Sequence, residues 1–594
     1  MVLIKSPNGS VTTKPTLAAA STASDVIGKV IEVTTPQIIT TTVTIPADRK
    51  IQFSGTGKIT YSGAGNVIFT SGCIDALTPQ MFGAVPDFVP ATGAGTNNAT
   101  AFQNMLTAAR QLSGAKITIP PGKYLITNSN ARGTAIELGD PTNTATNIII
   151  SGYGAERFMG QSSRLLGLYN CTNVIAEGLK IWGYTGGVLG ANRAYDHGIT
   201  IGYGSNNVTL KDITITNCLG DCIYVGGSMT DGSVTGLTSK NITIANCSLK
   251  QRIGNGTLSG SGGTKSRWAI SLVDIKGANI YDNVIYGGID IEPNVSGQLV
   301  VDVSVHNNKF VKGPVTPQAV IGTDYWFDEV VDNNGTLIQG FVTMTGSDAT
   351  THRGNSCKSN TFECGYIQGY NKGFADISGN VISQGNIYVA TALNNVVKDN
   401  VFNDVIDTTA CIILYGSCSH GVFTGNINTN ATYSMFGLAP GGGSFDIGYN
   451  IFKDNIQNAV GAAAMFTFTP AATDTIIGPV NGKPHILASS GFASTLVPLT
   501  LGAAKQDINW LAYPANVYYL GKTGAGSLSS ILNVPDGVEI TLLFSSVLTV
   551  VDYLLGGGNI RCRGAVDYTP VNTNSNITFI TRGGVLFEKS RTEA

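Results

Sequence analysis

The chain has 594 residues, more than one compact core holds, so two or three domains are expected. Only 12 % of residues are charged, and 36 basic against 38 acidic residues leave a net charge of −2 with no Lys/Arg run. That balance argues against a nucleic-acid partner, and no apolar stretch reaches the roughly 18 residues of a membrane span.

The 74 glycines must serve mainly as turns, because Gly is costly inside strands and cheap where φ is positive. Met1-Val2-Leu3-Ile4-Lys5 lacks the basic-then-apolar pattern of an export signal. The ten cysteines form no CxxC pair and have no His at zinc spacing, Cys218 and Cys222 being the nearest two. They read as free, mostly buried thiols of a protein assembled in a reducing cytoplasm, with no metal or cofactor expected.

In chain order, residues 1–78 hold short β-type runs: Val30–Val33, Thr41–Ile45, Ile51–Phe53 and Lys58–Tyr61. Alternation and Gly-rich breaks make this a small N-terminal β region. Thr78-Pro79 opens a helical signal, and a helix is expected over Asn97–Leu112 with Ala101, Met105 or Leu106, Ala109 and Leu112 on one face. Lys116–Ile126 then reads as strand, turn and strand.

From about 145 to 460 the sequence repeats. Short β runs end in Asn, and Asn360, Asn380, Asn400, Asn426 and Asn450 step by 20, 20, 26 and 24 residues. That is the period of a solenoid with three short strands and three bends per coil. Asn in left-handed bends, stacked coil on coil, is the expected reason for its reuse. A second row reads x-Ile-x-apolar: Gly198–Ile201, Cys222–Val225, Ala269–Leu272, Gly288–Ile291 and Cys411–Leu414. With the aliphatics inward, Thr200, Tyr224, Ser271 and Asp290 face outward. Near Pro470 the pattern stops, and Val517–Leu520, Val538–Phe544 and Ile577–Ile580 read as strands of a separate antiparallel domain. The expected division is 1–78, 79–475 and 476–594.

Phe82-Gly83-Ala84-Val85-Pro86-Asp87, then Ala101-Phe102-Gln103, then Ile119–Tyr124 resemble the opening of pectate-lyase-like β-helices of bacteriophage tailspikes and capsule depolymerases. The usual Asp-Gly and paired acids are absent; Phe88 and Thr96-Asn97-Asn98 stand there. Ile577–Ile580 and Gly583–Arg591 look like the last hairpin of tailspike C-terminal β domains. The resemblance implies an all-β fold: a right-handed parallel β-helix between a small N-terminal β region and a C-terminal antiparallel domain for trimerisation or carbohydrate binding. It further implies a homotrimeric virion spike, attached through a phage tail, baseplate or adaptor protein and acting outside the cell on a bacterial surface polysaccharide.

Cleaving a glycosidic bond needs an acid for the leaving oxygen and a carboxylate as base or nucleophile. In Gly288-Ile289-Asp290-Ile291-Glu292-Pro293, Asp290 and Glu292 project from one face about 6–7 Å apart along the strand; the plainer reading is a solvated polar face. The motif is similar to an Asp-x-Glu-Pro strand of several β-helical polysaccharide enzymes. Asp196 has outward parity and is a further catalytic candidate, an alternative partner for Asp290 from a neighbouring coil. Asp221 opens its strand and is a second candidate, or a turn carboxylate bonded to its own backbone. Arg267 and Tyr224 are candidate sugar contacts, or a surface cation and a surface ring. Tyr325 and Trp326 lie in a segment, 322–352, that departs from coil spacing; they would wall a groove or anchor a packed loop. His197 has inward parity and reads as structural. The expected activity is endo-hydrolysis. A polysaccharide lyase using Arg267, Tyr224 and His197, or a non-catalytic adhesin, are the alternatives.

Overall fold

The computed structural model describes residues 1–112, 114–127, 130, 133–159, 164–183, 197–218, 220–226, 237–251, 268–293, 297–311, 340–346, 352–371, 375–390, 395–403, 410–415, 421–429, 433–438, 451–453, 455–457, 476–477, 498–501, 505–509, 517–522, 527–532, 539–544, 549–550, 559–562, 569, 575–582 and 585–592. The chain divides into two compact units, Met1–Thr343 and Met344–Ala594. The division falls inside the expected 79–475 domain, in the segment where the sequence leaves coil spacing.

From Lys116 the first unit is a right-handed parallel β-helix whose coils each contribute a strand to three sheets. The inward positions stack in register. In the first sheet Ile117, Ile150, Ala176, Leu210, Ile244, Ile280 and Val305 follow one another coil by coil, all buried. Each large aliphatic so placed contributes about 1.5–3 kcal/mol, and its β-branched neighbours suit the pleat. The third sheet, here the site sheet, contains Thr134–Glu137, Arg164–Tyr169, Ile199–Gly202, Ile223–Val225, Ile270–Leu272 and Gly288–Ile291.

The helix expected before the first coil is Ala99–Gln111. Its buried face adds Phe102 to Ala101, Met105, Leu106 and Ala109. The Asn98 side chain accepts from Val85 N–H at 2.7 Å and donates to the Val85 and Thr96 carbonyls at 3.0 and 2.8 Å. The residues standing in place of the resembled acids are therefore the join between this helix and the preceding chain. The Thr78-Pro79 signal is a short 3-10 turn, Pro79–Phe82, closed by Gly83 at φ 94°.

The N-terminal region is more solenoid-like than its sequence announces. Val30–Val33, Gln37–Ile39 and Val43–Ile45 pair in parallel with Lys50–Phe53, Ile59–Tyr61 and Val67–Phe69, which makes two further coils. An antiparallel hairpin, Val2–Lys5 with Val11–Lys14, covers one edge.

The second unit repeats the three-sheet coil at shorter intervals around an amide ladder. Asn360, Asn380, Asn400 and Asn426 each pass a side-chain N–H to the Oδ1 of the next member, ending at Asn455, at 2.9–3.1 Å, and each receiving Oδ1 also accepts the preceding Asn's backbone N–H. All five are fully buried. Two expectations change here. The left-handed residue is the one before each ladder Asn, as at Ser359, Gly379, Asp399 and Gly425; the ladder amide turns inward instead. The member after Asn426 is Asn455, while Asn450 lies outside the described residues. The exposed ladder of left-handed asparagines does exist, but in the first unit, at Asn147, Asn173 and Asn207.

Toward the C-terminus, Pro498–Leu501, Val517–Lys522 and Glu539–Phe544 still pair in parallel. The expected antiparallel sheet is formed by Glu539–Phe544, Asn576–Arg582 and Val585–Thr592. In the closing hairpin Arg591 binds Glu588, with Nε to Oε1 at 2.7 Å. The nine described cysteines are all buried, and none of them forms a disulfide among the described residues.

Candidate functional site

The x-Ile-x-apolar register holds residue by residue. Ile199, Ile223, Ile270 and Ile289 stack inward, so Thr200, Tyr224, Ser271 and Asp290 form one outward row. Neighbours in the row are about 4.8 Å apart, one per coil. The row is polar yet largely withdrawn from water: Thr200 is 2 %, Ser271 1 % and Asp290 9 % exposed. Tyr224 is half-buried and Glu292, just past the strand end, is exposed. The two carboxylates of the Asp-x-Glu motif thus occupy different surroundings, one shielded and one exposed. The Ser271 hydroxyl is buried without a hydrogen-bond partner among the described residues. A buried polar group in that state is a place for water or a ligand hydroxyl.

A bend flanks the row. His197 is 1 % exposed and Asp221 fully buried. Asp221 N–H donates to His197 Nδ1 at 2.9 Å, and Asp221 Oδ2 lies 3.3 Å from the same nitrogen. Asp221 Oδ1 accepts the backbone N–H of Trp268, one coil on, at 2.9 Å. The Tyr224 ring stacks on the His197 imidazole, centroids 4.8 Å apart and planes at 15°. Asp221 therefore bonds the next coil's backbone and not its own, and His197, read as inward-facing, sits against the outward Tyr224. Strand parity does not carry through the bend that separates them.

Asp274 is another buried carboxylate near this sheet, as is Glu137 within it at 4 % exposed. Asp274 is 1 % exposed and accepts Leu299 N–H at 3.2 Å, and burial raises its pKa above the ordinary carboxylate value. Neither the His197 stack nor Asp274 was legible in the sequence, because both depend on which coil lies above which. Asp196, Arg267, Tyr325 and Trp326 lie outside the described residues. Among the described residues no group of three metal-ligating side chains lies together.

No protein-family model and no curated protein matches the chain. Solved structures similar to it include the A-module of a mannuronan C-5 epimerase from Azotobacter vinelandii, at 14 % identity over 68 % of this chain and 99 % of that one, TM-score 0.43. The surface adhesin PfbA of Streptococcus pneumoniae is similar at 16 % identity over 61 % and 99 %, TM-score 0.40. A mutant tailspike protein of E. coli bacteriophage HK620, in complex with a pentasaccharide, is similar at 12 % identity over 87 % and 91 %, TM-score 0.35. The likeness is one of fold.

Proposed function

We propose that this protein binds a bacterial surface polysaccharide, capsule or O-antigen, and shortens it by endo-acting hydrolysis at the outward row of the site sheet. The observation that carries this reading is the pairing of a shielded Asp290 with an exposed Glu292 two residues on, beside the unpartnered Ser271 hydroxyl. In this reading Asp290 protonates the leaving oxygen and Glu292 serves the attacking side, while Tyr224 offers a ring face to a sugar and Ser271 a hydrogen bond. Asp221, whose Oδ1 accepts Trp268 N–H and whose backbone N–H donates to His197 Nδ1, supports the row from behind.

The resemblance at both ends of the chain supports a virion-borne spike, assembled as a homotrimer and joined to a phage tail through a partner protein. On the sequence alone, Arg267, Tyr325 and Trp326 are proposed as further sugar contacts and Asp196 as an alternative acid.

End-group analysis of purified capsular polysaccharides and lipopolysaccharides incubated with the protein tests the reaction. New reducing ends without ultraviolet absorbance support hydrolysis. Unsaturated, absorbing ends would transfer the reaction to elimination, with Tyr224 beside His197 as the base. Binding without new ends would leave an adhesin.

A further inference from the structure

The Tyr224 ring is held by groups that sequence motifs do not single out. It lies flat on His197, whose Nδ1 is fixed by the Asp221 N–H. It also fills the space above Gly226: a Cβ built there would stand 2.6 Å from Tyr224 Cε1 and 2.9 Å from its hydroxyl oxygen. No side chain fits at 226 while the ring keeps this place. Asp221 completes the clamp, since its Oδ1 anchors Trp268 on the following coil.

We propose that His197, Asp221 and Gly226 are positioning residues that hold the Tyr224 ring in one orientation over the row, as a fixed platform for one sugar of the polysaccharide. This rests on the reading of the row as the polysaccharide site. A half-buried tyrosine free to change rotamer would lose that freedom on binding; one held against both an imidazole and a glycine backbone has lost it already. The clamp therefore acts on binding and leaves the Asp290 and Glu292 chemistry in place.

The test uses the full-length protein and whichever purified capsular polysaccharide or lipopolysaccharide the wild-type protein cleaves or binds. Gly226→Ala, His197→Phe and Tyr224→Ala are compared by KM and kcat, or by Kd, with thermal melting recorded for each. Gly226→Ala is expected to raise KM or Kd about tenfold, close to the effect of Tyr224→Ala, with a much smaller change in kcat. His197→Phe keeps a flat ring but loses the Nδ1 acceptor, so a smaller rise in the same direction is expected. Unchanged KM for Gly226→Ala and Tyr224→Ala in folded protein would overturn the clamp, as would an equal loss confined to kcat. If the wild-type protein neither cleaves nor binds any polysaccharide of the panel, the reading of the site fails, and with it the role given to the clamp.

Discussion

At the scale of single residues, Asp290, Asp221 and Asp274 are buried or shielded carboxylates around one sheet, and their surroundings differ. Asp290 faces the row, Asp221 holds a neighbouring coil and a histidine, and Asp274 holds Leu299. The sequence showed the acids, and the Asp-x-Glu spacing singled out one pair of them. It did not show that Asp221 is fully enclosed, because that enclosure comes from residues 24 and 47 positions away.

Asp274 gives a pH prediction. Its folded pKa is raised by burial, so the native state holds the proton more tightly than the unfolded chain does. Stability then falls as pH rises from the unfolded pKa through the folded one, and the cost of the buried charge is complete above that window. Asp274→Asn keeps an oxygen for Leu299 N–H and removes the charge. Thermal melts should show the variant at least as stable as wild type near neutral pH, with the difference disappearing in acid. A variant markedly less stable at neutral pH would show that the ionised carboxylate is needed.

At the scale of elements, register was the most legible feature. A strand with a fixed inward parity and a constant coil step leaves little freedom about which residues stack, and the row from Thr200 to Asp290 follows from that alone. Bends were less legible, because left-handed backbone is available to Asn, Asp, Ser and Gly alike. The second unit uses Ser359 and Asp399 there and turns Asn360 and Asn400 inward. The parallel pairing of residues 30–69 was missed because two coils are too few to display a period.

The inward ladder is also a stability device, since each amide satisfies buried groups on the coils beside it. Asn400 accepts from the Asn380 backbone and side chain and donates to Ile377 O and Asn426 Oδ1. Asn400→Ala strands at least one buried N–H, a cost of about 1–3 kcal/mol before any cavity is counted. Urea unfolding should show that loss, while Asn207→Gly on the exposed ladder, which keeps the left-handed backbone, should stay within about 0.5 kcal/mol of wild type. Equal losses at the two sites would mean that burial of the ladder does not matter.

At the scale of the whole molecule, mean hydropathy is +0.14 and charge is scarce, as expected of a chain with much of its surface covered by copies of itself. The proposed homotrimer, held partly by residues 480–594, predicts a light-scattering mass of three chains, each 61.9 kDa. A monomer at micromolar concentration would contradict it.

The account stands most directly on Asp290 and Glu292. Turnover of a susceptible polysaccharide by Asp290→Asn and Glu292→Gln should each fall at least about a hundredfold, the scale of losing an acid or base, while binding of the intact polymer persists. Near-normal cleavage by both amide variants would place the chemistry elsewhere and contradict the site described.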